Sequence, residues 1–242
     1  MNKTKIEWCD YTINPVKGLC PMACSYCYAR AMYRRFKWNP EIRFEPIRDA
    51  DLPKKPSLIF VGSTIELFGE WVDASWLDSI FRSVEDSPYH TFIFLTKLPQ
   101  NLTKWNPFPR NCWVGVSVTR ADMFDDALNG LDDIHCSKRF ISAEPLLQSL
   151  IPDGLNKIDF SSYLAGTLDW VICGAQTLPS KKTTPKLEWI QEIVEACDKA
   201  RIPIFLKNNL TKGLPIDRPF YKPIPLSGWD DNFSWELRQE FP

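Results

Sequence analysis

The 242-residue sequence has only two histidines and ten glycines, a net charge of −1, and no long apolar run. A membrane-crossing helix needs about 18 consecutive apolar residues, so no membrane span is expected. Near-neutral charge excludes a global basic field for nucleic acid and leaves only a local basic face. A Ser-His-Asp constellation, a P-loop and a Gly-x-Gly-x-x-Gly turn are all missing, which removes support for triad hydrolysis and NTP-driven chemistry. Residues 1–7 contain no apolar h-region, so no secretory leader is expected, and a reduced, cytoplasmic setting is the default. Neither His90 nor His135 follows an apolar run, which places both on the expected surface.

What is present is a set of short apolar runs alternating with helical patterns. Hydrophobic residues make up 44% of the chain, enough for one sizeable core. Leu58-Ile59-Phe60-Val61, Phe92-Ile93-Phe94-Leu95, Cys112 to Val118, Phe140 to Ala143, Trp170 to Cys173 and Ile202 to Leu206 read as strands buried on both faces. A short strand is also expected within 6–17. Helices are expected at 29–37, at 74–84 (capped by Asp73, with Leu77, Ile80, Phe81 and Val84 on one stripe), at 122–131, and after Thr184 with Pro185 at the first position. Residues 38–56 read as loop. The pattern specifies an α/β fold of parallel strands with right-handed crossovers, either an open sheet or a partial barrel. Residues 1–212 would form this domain, and 213–242 a proline- and aromatic-rich tail packed back on it through Trp229 and Trp235.

Eight cysteines are present, three of them as Cys20-x3-Cys24-x2-Cys27. Three thiolates leave a four-coordinate centre one ligand short. A [4Fe–4S] cluster so held keeps one iron open to a small molecule. Two other readings remain open. One is a zinc-binding structural or interaction module completed by Cys9 or a distant cysteine; the other is a cluster used for electron transfer alone. In βα folds the chemistry gathers where strands end. Those positions hold Ser63, Thr64, Glu66, Thr96, Lys97, Ser117, Thr119, Glu144, Gln176 and Lys207, a polar set following apolar strands. Glu144 is the best acidic candidate, and it is also expected to pair with Lys97 or Lys207, because a buried charge must be paired. Lys97, Glu144 and Lys207 are the catalytic candidates. Arg30, Arg34 and Arg35 share a helix face, read as solvated or as the lining of an anionic site. With Tyr28, Tyr33 and Trp38 they are also of a kind that stacks and pairs with nucleotides.

With Tyr26 before its last cysteine, the motif resembles the radical S-adenosylmethionine (SAM) signature. Lys5-Ile6-Glu7-Trp8, Asn14-Pro15-Val16, Phe60-Val61-Gly62-Ser63, Leu67-Phe68-Gly69-Glu70, Phe94-Leu95-Thr96-Lys97, Gly115 to Val118, Ser142 to Leu146 and Asp169 to Ile172 resemble a phage-associated family with a three-cysteine motif. The resemblance breaks at Gly174-Ala175-Gln176, where that family carries Gly-Gly-Glu. It implies a single-domain, partial (β/α)6-type barrel with a [4Fe–4S] cluster on Cys20, Cys24 and Cys27. It also implies SAM held by Tyr26, Gly62, Ser63, Thr64 and Ser117. The implied activity is reductive cleavage of SAM to a 5′-deoxyadenosyl radical that modifies a nucleic acid, nucleotide or protein. An external electron donor, and a partner protein or a nucleic-acid substrate, would complete it.

Overall fold

The computed structural model describes residues 1–152, 154, 157–177, 183–215, 219–225 and 233–242. They form two compact units, residues 1–117 with 126–139, and residues 118–125 with 140–242. The fold class is α/β with mostly parallel strands and helices between them, as expected.

In the first unit the chain runs through β1 (Asn2–Lys3), β2 (Tyr11–Ile13), β3 (Val16–Lys17), α1 (Tyr28–Phe36), β4 (Arg43–Phe44), β5 (Leu58–Val61), α2 (Ala74–Glu85), β6 (Thr91–Thr96), β7 (Cys112–Ser117) and most of α3 (Phe124–Asp132). The strand order is β1-β2-β5-β6-β7, antiparallel at β1 and parallel thereafter. Ile59, Val61, Phe92, Ile93, Phe94 and Val114 are all buried, which is why consecutive rather than alternating residues are apolar. Asp73 caps α2 by accepting a hydrogen bond from the Ser75 N–H at 2.8 Å, and Leu77, Ile80 and Val84 carry its buried stripe.

Gly62, straight after β5, has φ +79, and a Cβ there would lie 2.5 Å from Leu67 Cδ1. Only glycine turns the chain at this strand end. His90 departs from expectation: it is 1% exposed. Its ring packs beside Tyr89 and edge-on to Phe92, and burial lowers its pKa. His90 directly precedes β6, and its ring is carried into the core against Phe92, a contact that no apolar run announces in the sequence. His135 is exposed, as expected.

The second unit takes in most of β8 (Lys138–Ala143), and α4 (Lys157–Leu164), β9 (Trp170–Cys173), α5 (Leu187–Ala200), β10 (Ile204–Leu206), β11 (Tyr221–Pro225) and β12 (Phe233–Leu237). Strands β8, β9 and β10 are parallel, with Ser142 opposite Ile172 and Leu206 opposite Cys173. Trp170 is fully buried among Phe140, Phe205 and Phe241. Helix α5 begins two residues later than expected: Lys186, not Thr184, is the N-cap, with no side-chain cap bond. Ile190, Ile193, Val194 and Cys197 form its buried stripe as expected.

The tail holds an antiparallel hairpin, β11 with β12, that its prolines conceal in the sequence. Trp229 lies outside the described residues. Beyond the hairpin, the Leu206 N–H donates to Arg238 O at 2.7 Å, the Glu240 N–H donates to Ile204 O at 3.0 Å, and Gln239 bridges Phe205. Trp170 Nε1 donates to Glu240 O at 2.7 Å. Arg238 clamps this segment, reaching Asp198 at 2.8 Å and Glu240 at 2.9 Å.

The Glu240 carboxyl is subject to burial, which raises its pKa, but the Arg238 hydrogen bond and the Ile204 N–H outweigh it and lower the pKa below the usual 4.5. A depressed carboxyl pKa stabilises the fold above the unfolded value and loses that contribution as pH falls through the folded value. Melting temperature should therefore drop on acidification below pH 4.5, and a Glu240→Gln chain should show a smaller drop over that interval. An equal drop in both would assign the acid sensitivity elsewhere.

Candidate functional site

The cysteine loop is built by local bonds. The Gly18 N–H donates to the Tyr33 hydroxyl at 2.9 Å and the Leu19 N–H to Pro40 O at 2.9 Å, which pins the loop's start. Ala23 takes φ +50, reversing the chain, and the Cys27 N–H donates to Cys24 O at 3.1 Å. Cys27 is the N-cap of α1, its sulfur accepting from the Arg30 N–H at 3.5 Å. Arg30, expected as solvated surface or site lining, is half-buried and donates to Cys20 O at 2.6 Å, closing the loop on itself. All three sulfurs are free thiols in half-buried residues. Burial raises the Cys20 pKa, opposed by the backbone N–H groups of Glu66 and Met22.

Glu66 joins this loop to the strand ends. Its N–H donates to Cys20 Sγ at 3.4 Å. Its carboxylate, in a residue 7% exposed, accepts from the Thr96 hydroxyl at 2.7 Å, the Lys97 N–H at 2.8 Å and the Phe68 N–H at 3.1 Å. Lys97 Nζ in turn donates to Ser117 Oγ at 3.2 Å. One hydrogen-bonded path thus runs from Cys20 through the ends of β5, β6 and β7. Of the candidate residues, it gathers Cys20, Lys97 and Ser117. The same strand-end logic that marks Lys97 also marks Glu66, but a carboxylate that binds backbone N–H groups leaves no spacing pattern to reveal its role.

Ser63 and Thr64 follow Gly62. Their hydroxyls donate to Asn14 Oδ1 at 3.2 and 3.3 Å, so they fasten β5's end to the residue after β2 and cap no helix. Tyr28, at the start of α1, donates to Ser63 O at 2.7 Å. Tyr26 is half-buried within the loop. Among the described residues no three His, Cys, Asp or Glu side chains converge into a preformed metal site. The donor set nonetheless fits a thiolate-held cluster: three thiols within eight residues, backed by backbone N–H groups and a helix N-terminus.

The second unit carries its own polar pair. Glu144, after β8, forms an ion pair with Lys207, after β10; their side chains are 19% and 10% exposed. Lys97 takes no part, its amine being on Ser117. Between them, after β9, lies Gly174, where a Cβ would come 2.9 Å from Lys207 Cδ and 3.3 Å from Glu144 Cγ. Asn209 holds the next residue at both ends, accepting from the Ala175 N–H at 3.0 Å and donating to Ala175 O at 2.8 Å. A charged pair thus sits above a glycine floor whose backbone cannot shift freely.

Comparison with solved structures gives a spore photoproduct lyase variant with a cysteine replaced by serine. It is 15% identical, with TM-score 0.50, covering 98% of this chain and 71% of that one. A variant of the same lyase with bound AdoMet and dinucleoside spore photoproduct gives 13% identity and TM-score 0.49 over the same shares. At such identity the likeness is one of fold. No curated protein matches the sequence. The family model described as "Protein of unknown function (DUF5131)" matches residues 3–212, and the chain belongs to that family.

Proposed function

We propose that this chain is an iron–sulfur enzyme that cleaves SAM reductively and uses the resulting radical to modify a substrate. The observation that carries the reading is the bonded path from Cys20 through Glu66 to Lys97 and Ser117, which sets a three-cysteine loop over the polar ends of three successive parallel strands. When bound on Cys20, Cys24 and Cys27, a [4Fe–4S] cluster with one open iron supplies the one-electron reduction that splits SAM into methionine and a 5′-deoxyadenosyl radical.

The chain's own residues bind and orient. Lys97 presents an ammonium beside the Ser117 hydroxyl, a pair suited to the SAM carboxylate and ribose. Gly62, Ser63 and Thr64 offer a turn and two hydroxyls to the SAM amino group, and Tyr26 an aromatic face to the adenine. Glu144 and Lys207 are assigned to the substrate side, where a paired acid and base can hold a polar group while hydrogen is removed. An external one-electron donor is required.

Anaerobic reconstitution with iron and sulfide, followed by dithionite and SAM, should give a brown protein that forms 5′-deoxyadenosine. Cys24→Ala should form none, with its fold intact by circular dichroism. A colourless, zinc-loaded protein, or a stable cluster giving no deoxyadenosine, would overturn the proposal and favour the metal-module or electron-transfer reading.

A further inference from the structure

The net charge of −1 hides a strong local asymmetry. From Tyr11 to Pro40 there is no Asp or Glu, while Lys17, Arg30, Arg34, Arg35 and Lys37 are all basic; the span carries +5, and the remainder therefore −1 − 5 = −6. Lys17 is paired with Glu45 and Arg30 is committed to the cysteine loop. Arg34, Arg35 and Lys37 are exposed and form no ion pair among the described residues. They cluster at the C-terminal end of α1.

At that same end, two large aromatic rings face solvent. Phe36 is 52% and Trp38 41% exposed, and their rings stack with centroids 5.6 Å apart and planes 23° from parallel. The arrangement is held in place. Lys37 takes φ +53 and the Trp38 N–H donates to Tyr33 O at 3.3 Å, a Schellman-type ending that brings Trp38 back edge-on to Tyr33. Tyr33 is itself fixed by the Gly18 N–H. The Arg35 guanidinium lies 5.3 Å from the Phe36 ring centre. The Tyr33 contact accounts for one edge of Trp38; it gives no reason for the exposure of Phe36 or for the absence of any acidic neighbour in the sequence span.

The geometry points to a docking surface for single-stranded nucleic acid, formed by Arg34, Arg35, Phe36, Lys37 and Trp38. Bases stack on exposed, rigid aromatic faces regardless of sequence, and cations flanking those faces neutralise the phosphates between them. A lipid surface would instead favour exposed aliphatic residues beside the cations, and here the exposed apolar surface is aromatic. Helix α1 leads from Cys27 to this platform over nine residues. That is about 13 Å, or roughly four stacked nucleotides at about 3.4 Å each. A strand docked here would present a nucleotide about four positions away to the cysteine loop. That makes nucleic acid the substrate class, an assignment that rests on the enzymatic reading above, whereas the docking itself does not.

Fluorescence anisotropy on the full chain, using oligothymidylate and oligouridylate probes of about 12 nucleotides, tests the docking without SAM cleavage. Binding should weaken with salt along a log–log slope of about −2, as three phosphate contacts on a single strand require. Phe36→Ala should weaken it about tenfold, the Arg34→Glu/Arg35→Glu chain at least as much, and Trp38→Phe, which keeps ring and packing, by less than about threefold. The two probes separate RNA from DNA. No binding, a flat salt response, or capture by phosphatidylserine vesicles in preference to the oligonucleotides would overturn the proposal. So would a Phe36→Ala chain that binds like the parent while charge reversal abolishes binding, since that describes a polyanion patch without stacking. Oligonucleotide binding by a protein that makes no deoxyadenosine would retain the docking surface and reject only the enzymatic reading.

Discussion

Lys207→Met alone should destabilise the protein by roughly 3–5 kcal/mol, whereas Lys207→Met combined with Glu144→Leu should recover most of that loss. The reason is the burial of both partners, with side chains 10% and 19% exposed. Removing one leaves a buried charge without its counter-ion; removing both exchanges an ion pair for apolar contacts of similar size. Urea unfolding of the parent, both single variants and the double variant completes the cycle. If the double variant were as unstable as the sum of the singles, the pair would be contributing through separate contacts and not through each other. The same cycle separates stability from chemistry. A well-folded double variant that still forms deoxyadenosine but no longer alters substrate would mark the pair as acting on the substrate. Full turnover would confine it to a structural role.

Glu66→Ala should be the second large loss, about 3 kcal/mol, because three donors (the Thr96 hydroxyl and the Lys97 and Phe68 N–H groups) lose one buried acceptor. The consequence should extend to the cysteine loop, since Cys20 hangs on the same residue's N–H. Iron retention after gel filtration under anaerobic conditions is the discriminating measurement. Glu66→Gln should be milder: its carbonyl can serve the Phe68 N–H and the Thr96 hydroxyl, while its amide opposes the Lys97 N–H. Equal iron retention in the parent and Glu66→Ala would show that the loop holds its shape without the strand-end anchor.

The legible part of this molecule is its parallel-strand framework. Strands buried on both faces must be apolar at consecutive positions, so Leu58–Val61, Phe92–Leu95 and Trp170–Cys173 announce themselves, and the residues after them are marked as strand ends within their own units. That Glu144 pairs with a strand-end lysine was legible on charge grounds; that the partner is Lys207 and not Lys97 was not. The two-residue strands β1, β3 and β4 are too short to show a period. The β11–β12 hairpin carries Pro223 and Pro225, which mask it. Glu66 and Asn14 organise the site through side-chain bonds to distant backbone and hydroxyl groups. Such bonds span 30 and 49 residues of sequence, and neither composition nor spacing records them.

The clasp at residues 238–240 has a meaning beyond its ion pairs. A strand at the end of a parallel set displays unpaired N–H and C=O groups that invite another chain to add on. By bonding Leu206 and Ile204 and bridging Phe205, the segment occupies the side of β10 away from β9. Residues 238–240 are thus a self-supplied edge guard. It denies a second copy of the chain the template on which intermolecular sheet growth would begin.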